Sequence, residues 1–326
     1  MKICITGGAG YVGSRLVPQL LADGHKVIVY DTFWFGDGYL PSSNCHLKLI
    51  KADIRDANQF AAAAYGCEAV IHLAGLTSDA CCQKNERLSS AVNHDAFDEL
   101  IKAAIAAGVQ RFIFCSSAAV YGSTAETAIE SHVLAPSTLY SASKALCEAT
   151  LAHYRDRLCC ITLRPATISG YAPHMRFDTT IHRMMRDAVM KGVITVNGGA
   201  QIRSHLHIRD MIKCYRLMLS ASKEKICGQT YNVHAENISV GDLALVIKET
   251  VEHEFGKTVA IKQQDYADNR SYQVDSEKIY QMLGFRYNLS VHDICKELAI
   301  RFHGGYWKDA LTNPIYMNIY EQERRG

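Results

Sequence analysis

The stretch Thr6-Gly7-Gly8-Ala9-Gly10-Tyr11-Val12-Gly13 constrains this chain more than any other. It follows a short apolar run, Lys2–Thr6, and opens an amphipathic one, Tyr11–Ala22. Glycines at 7, 10 and 13 permit a tight turn, close approach of the backbone to an anion, and close packing of helix on strand. A helix that starts there presents its positive dipole end and bare N–H groups to a phosphate. The loop therefore predicts a strand–turn–helix unit at the edge of a nucleotide site.

The pattern around it agrees. Strand-like runs fall at Lys26–Tyr30, Leu47–Ile50, Ala69–Leu73, Arg111–Ser116 and Cys159–Arg164. Helical patterns fill the gaps at Ala57–Ala64, Ser89–Ala107 and Ser141–Arg157. Alternating apolar strands and helices predict an α/β fold with a doubly wound parallel sheet, helices covering both faces. Beyond Arg164 the rhythm loosens, and helices return at Met211–Ala221, Val240–Phe255 and Ser276–Leu283. We expect residues 1–168 to form the nucleotide-binding domain, with a return at about 206–235, and residues 169–326 to form mainly a smaller α/β substrate lobe. The last stretch, with Tyr306, Trp307, Tyr316 and Tyr320, is aromatic enough to be expected to pack.

Asp31 follows the second strand, where a carboxylate can accept hydrogen bonds from both adenosine ribose hydroxyls and repel a 2′-phosphate. That favours NAD over NADP. Asp53-Ile54 follows the third strand, where adenine could meet the carboxylate; capping of the next helix by Asp53 or Asp56 is the competing role.

The 326 residues carry a formal charge of +2 and no long run of either sign, which gives no basic face for a nucleic acid. No apolar run is long enough to span a bilayer. The twelve cysteines lack the spacing of a zinc site, and a strand begins at once with no signal peptide before it. Reduced thiols, a cytoplasmic location and no metal are the expectation.

Tyr140-Ser141-Ala142-Ser143-Lys144 puts a phenol and an ammonium on one helix face. Upstream, Cys115-Ser116-Ser117-Ala118-Ala119-Val120-Tyr121-Gly122 ends an apolar strand. Together with the glycine loop, His72-Leu73-Ala74-Gly75 and Arg164-Pro165-Ala166, these motifs resemble, in the right order, the extended short-chain dehydrogenase/reductases, in their branch of NAD-dependent nucleotide-sugar epimerases and dehydratases. The resemblance spans nearly the whole chain and implies a Rossmann sheet. It also implies that Tyr140 is the general acid/base, that Lys144 binds the nicotinamide ribose and lowers the tyrosine's proton affinity, and that Ser117 hydrogen-bonds the reacting oxygen. The cofactor residues it implies are Gly7, Gly10, Tyr11, Val12, Gly13, Asp31, Asp53, Ile54, Leu73, Ala74, Gly75, Tyr140, Lys144 and Pro165. A homodimer built on a four-helix bundle from the helices near Ser89–Ala107 and Ser141–Arg157 is implied too.

The second half resembles the nucleotide-sugar branch. Arg203, in Arg203-Ser204-His205-Leu206-His207-Ile208-Arg209-Asp210, and Arg270, in Asp268-Asn269-Arg270-Ser271-Tyr272, match arginines that meet a sugar-nucleotide diphosphate. Their planar donor forks suit that task, and ion pairing at the surface or between domains is the competing role. Asp210 is expected to cap a helix starting at Met211. Thr77, Ser117 and Thr167 are the further substrate contacts expected.

Departures from the family matter as much. The 4,6-dehydratases carry an adjacent Asp and Glu where this chain has Ala118 and Ala119, and epimerase-reductases carry a cysteine at the latter position. A methyl group transfers no proton, so elimination and carbon-acid epimerisation by those routes are disfavoured. His174 matches a histidine that is catalytic in some epimerase-reductases; without the cysteine it reads as lobe structure or a sugar contact. What remains is hydride transfer at a carbinol: epimerisation through a keto sugar, most simply at C4, or net oxidation or reduction. Less fitting readings are an NADP-dependent reductase of non-sugar substrates and an inactive NAD-binding protein.

Overall fold

The computed structural model describes residues 1–124, 126–265 and 270–317. The large sheet contains β1 (Lys2–Thr6), β2 (Lys26–Asp31), β3 (Leu47–Lys51), β4 (Ala69–His72) and β5 (Arg111–Cys115), together with two later strands. After β6 (Thr127–Ala128), these are β7 (Cys159–Pro165) and, beyond the lobe strands β8 (Thr167–Ser169), β9 (Val193–Asn197) and β10 (Ile202–His207), β11 (Thr230–Val233). Its seven strands run in the order β11-β7-β5-β4-β1-β2-β3, and every pairing is parallel. This is a doubly wound Rossmann-type sheet. The order reverses between β1 and β4, and the crevice beyond their carboxyl ends is where such sheets take a ligand.

Burial explains why the strands read as continuous apolar runs. Every residue of β7 is buried, because helices cover both faces of the sheet. On one side α1 (Tyr11–Ala22) packs against a later helix, α8 (Ile208–Ser220). On the other, α2 (Ala57–Ala64) packs against α5 (Phe97–Ala106), which follows the short α3 (Asp79–Lys84) and α4 (Glu86–Ser90); α6 (Leu139–Ala152) packs beside α5.

Several sequence boundaries move, each for a local reason. The helix expected over Ser89–Ala107 is broken by a π-turn at Ala91–Asp95. Buried Asn93 sits in it, accepting from Leu76 N (2.7 Å) and donating to Leu76 O (2.9 Å), so it pins the loop after β4. α6 begins at Leu139 because Thr138 and Ser141 form a capping box, and it ends by His153, short of Arg157. α8 begins three residues before Met211, with His207 as its cap. Asp210 is therefore not the cap. It is fully buried, paired with Lys213, and accepts from Asn288 N and Leu289 N (3.0 Å each).

The chain leaves the large sheet at Pro165 and enters the lobe at Thr167. There β8, β10 and β12 (Glu236–Ser239) form one small sheet, β9 and β13 (Ala260–Gln264) a second, and β6 with β14 (Gln273–Val274) a third. α7 (Thr180–Lys191), α10 (Val240–Phe255) and α12 (Val291–His303) pack on one another; α9 (Lys223–Ile226) and α11 (Glu277–Leu283) lie beside β7 and β11. Trp307 and Tyr316 pack edge-on to Phe177 (ring centroids 5.4 and 5.3 Å), as expected of the aromatic tail; Tyr320 lies outside the described residues. The expectation of reduced thiols fails at one pair. β7 opens beside the turn after α9, and this brings Cys159 and Cys227 together as a disulfide. Among the described residues no helix is long and apolar enough to cross a membrane.

Candidate active site

The β1–α1 turn is closed to side chains. A Cβ on Gly7 would lie 2.6 Å from Ala74 N, and one on Gly13 would lie 2.4 Å from Gly8 O. Gly7 also has a positive φ of 72°. Beneath the turn, Thr6 Oγ1 bonds His72 Nδ1 (2.7 Å) and ties β1 to β4 at the crevice. Burial, aided by the nearby Lys144 charge, lowers the His72 imidazole to about 3, so it is neutral.

Asp31 stands over the mouth of the turn, accepting from Ala9 N (2.9 Å) and Phe33 N (2.8 Å). Burial raises its pKa, and the backbone donors Ala9, Phe33 and Thr32 oppose the rise. These bonds occupy part of the carboxylate's acceptor capacity and leave sites for ribose hydroxyls. Asp53 is differently engaged: Arg55 grips it through backbone and guanidinium, while Asp56 caps α2 by accepting from Gln59 N (2.9 Å). Both Asp53 and Ile54 still line the cleft.

That cleft has a volume of about 500 Å³ and runs from the glycine turn to the lobe. Gly7, Gly10, Tyr11, Val12, Gly13, Leu73, Ala74, Gly75, Pro165, Thr77 and Thr167 all border it, as do Ser117, Tyr140 and Lys144. A closed turn, a carboxylate at the end of β2 and a long cleft fit a dinucleotide such as NAD.

A buried network fixes the serine end of β5. Arg164 pairs with Glu148 (2.6 Å) and donates to Tyr121 Oη (2.7 Å), and Ser116 donates to Glu148. Ser117, next in line, caps the turn beyond β5 by accepting from Ala119 N (3.1 Å). The capping box that starts α6 puts Tyr140 in its first turn, facing Ser117.

Burial pushes the Tyr140 phenol well above its ordinary value, and the Cys115 thiol adds to the rise; the Arg176 guanidinium and the Ser117 hydroxyl oppose it. The sequence reading gave that opposing role to Lys144. The Lys144 ammonium donates to Cys115 O (2.8 Å) and lies over the Phe114 ring, with the Tyr140 ring centroid 5.9 Å away. Burial outweighs the cation here because partial removal from bulk solvent disfavours the charged phenolate.

Arg203 and Arg270 reach the cleft from β10 and from the segment before β14, and the fold brings them together. Arg203 donates to the backbone of Arg270 and of Ile202 and lies 5.4 Å over the Tyr272 ring; Arg270 pairs with Asp79 (2.9 Å). Of the two expected roles, ion pairing is seen at Arg270, and both side chains border the cleft. His174 is 1% exposed, stacked on Tyr39 and tilted against Phe35, and its backbone N donates to Ser14 Oγ. Burial lowers it to about 4.

Sequence reasoning missed Arg176 and Asp178, a buried ion pair (2.7 Å) bordering the cleft. The one signal was an Arg-Phe-Asp triplet in a stretch with few other charges.

Residues 3–233 match the profile of the family described as the NAD dependent epimerase/dehydratase family. The chain belongs to that family. Members similar to it include the UDP-glucose epimerase YtcB of Bacillus subtilis, described as uncharacterized, 29% identical over 76% of this chain and 82% of its own length. The UDP-glucose 4-epimerase of Mycolicibacterium smegmatis is 28% identical over 72% of this chain and 77% of its own. Among solved structures, the UDP-glucuronic acid 4-epimerase of Bacillus cereus superposes with a TM-score of 0.84 at 23% identity, covering 94% of this chain and all of that one. At that identity the superposition speaks to the fold of this epimerase/dehydratase family member. NAD is the cofactor of the family.

Proposed function

We propose that this chain is an NAD-dependent nucleotide-sugar 4-epimerase. The observation that carries the reading is the composition of the catalytic corner. Ser117 and Tyr140 face one another, while the neighbouring positions are the buried methyl of Ala118 and the methyl of Ala119 at the cleft. Ser117 and Tyr140 can move one proton at one oxygen, and the alanines at 118 and 119 supply no acid there to expel water.

When bound, NAD supplies the hydride acceptor and donor at the carbinol carbon. Tyr140, once ionised, takes the hydroxyl proton and returns it to the keto oxygen after the sugar has turned, so cofactor and sugar mass are restored each cycle. The burial that raises the phenol would be opposed by the positive nicotinamide of bound NAD, as it is by the Arg176 guanidinium and the Ser117 hydroxyl. Ser117 holds that oxygen. Lys144, which donates to Cys115 O, would bind the nicotinamide ribose. Arg203 and Arg270 supply donors to the substrate diphosphate, and Thr77 and Thr167 contact the sugar side. Named 4-epimerases among the relatives support the reading.

The test incubates NAD-loaded protein with UDP-, dTDP-, GDP- and CDP-hexoses and reads products by chromatography and mass. Epimerisation gives an isomer of unchanged mass. Loss of two hydrogens with accumulating NADH would show a net oxidase, and loss of water would overturn the reading of Ala118 and Ala119. Tyr140→Phe should remove activity by several orders of magnitude while NAD binding survives, since the turn and Asp31 remain intact.

A further inference from the structure

The Arg176–Asp178 pair takes no part in the proton chemistry above, yet it borders the cleft. It is built rather than incidental. Arg176 Nε and Nη2 donate to the two Asp178 oxygens (2.7 and 2.8 Å), and Nη1 donates to Thr77 Oγ1 (2.8 Å) across the cleft. The two side chains are only 12% and 8% exposed. Their loop is held at each end. His182 Nε2 accepts from Gly170 N (3.0 Å), which leaves Nδ1 to donate to Arg176 O (2.8 Å); Tyr11 Oη donates to Gly170 O (2.7 Å).

This geometry leaves one N–H on each of Nη1 and Nη2 with no partner among the described residues, and it leaves acceptor capacity on Asp178. A planar set of donors and acceptors bordering a cleft matches vicinal hydroxyls. The pair borders the same cleft as Tyr140 and Ser117. Its net charge decides what it admits. Asp178 neutralises Arg176 through a two-pronged contact, so this pair offers no uncompensated cation to a substrate carboxylate, and the Asp178 charge would oppose one.

We propose that Arg176, Asp178 and Thr77 read the sugar ring and that this neutral fork selects an uncharged hexose over the corresponding uronic acid. The inference rests on the cleft being a nucleotide-sugar site. Arg176 and Asp178 act as specificity residues; the reacting atoms belong to Tyr140 and Ser117.

The test measures dissociation constants by calorimetry on NAD-loaded protein. It uses a hexose and a uronate carried by the same nucleotide, chosen as the best binder among UDP, dTDP, GDP and CDP. In the unmodified protein the hexose should bind at least about tenfold more tightly. Asp178→Asn keeps the side-chain shape and uncovers the guanidinium charge, so the ratio should move toward the uronate by about tenfold or more. Arg176→Met should weaken hexose binding and flatten the ratio. Each ratio is taken on one preparation, so a partly unfolded variant does not distort it. A uronate preference in the unmodified protein, or a ratio unmoved by Asp178→Asn, overturns the proposal and leaves the epimerase reading standing. If no nucleotide sugar binds while NAD does, both fall together.

Discussion

Replacing Gly13 by alanine tests the central claim about the phosphate turn. A helical position ordinarily gains from this change, by about 1 kcal/mol, because glycine is a poor helix former. Here the added methyl would meet Gly8 O, C and Cα at 2.4, 2.5 and 2.5 Å. All three are backbone atoms of the turn itself, so no side-chain rotation relieves the overlap. Restoring ordinary contact requires the turn and helix to part by about 1 Å, and overpacking of this kind costs up to about 3 kcal/mol. The clash wins, and a net loss of about 2 kcal/mol is expected. The same movement pulls the N–H groups of α1 off the phosphate position, so NAD affinity should fall at least about tenfold. Gly24 is the control: its φ is +83° and a Cβ there meets nothing within 4 Å. Gly24→Ala should cost about 1 kcal/mol through backbone strain alone and leave NAD binding unchanged. Urea melts and NAD titrations of the two variants give the comparison. A Gly13→Ala protein as stable as the parent, with undiminished NAD affinity, would refute the account of the turn.

Further outcomes follow from individual groups. NAD should bind more tightly than NADP, and Asp31→Ala should narrow the gap; equal affinities in the unmodified protein, by calorimetry, would contradict the role given to Asp31. Glu297 is buried, but the His207 and Tyr171 N hydrogen bonds and the Arg209 charge lower it from 4.5 to about 2. Its stabilisation is therefore present above about 4.5 and lost as pH falls toward about 2, and urea midpoints should show this window shrinking in Glu297→Gln. Sedimentation should show a homodimer formed through α5 and α6, where Leu146 is 51% exposed; a monomer at micromolar concentration would count against it.

Much of this was legible because period and spacing are local. The extents of β1, α1, α2 and α10 follow directly from apolar periodicity and turn residues. The π-turn at Ala91–Asp95 was not legible, since its cause is a long-range contact, Asn93 with Leu76. Asp210 looked like a cap because acidic residues favour helix starts, but its partners, Asn288 and Leu289, lie far along the chain. The same limit hid the Arg176–Asp178 pair: its partner Thr77 lies 99 positions away, and only folding shows that the pair borders the cleft. The Cys159–Cys227 bond likewise depends on where α9 returns the chain to β7.

The stretch from Gly170 to His182 is fastened to the first turns of α1 at two points, Tyr11 Oη to Gly170 O and His174 N to Ser14 Oγ. The helix that opens at the glycine turn thus shares a mechanical frame with the loop that carries Arg176. Quieting the motion of one quiets the other, and the free energy of that coupling is the same whichever ligand arrives first. The two occupants of the cleft should therefore bind with positive cooperativity. With the dinucleotide held at the glycine turn, as proposed above, the order of arrival should be cofactor before sugar.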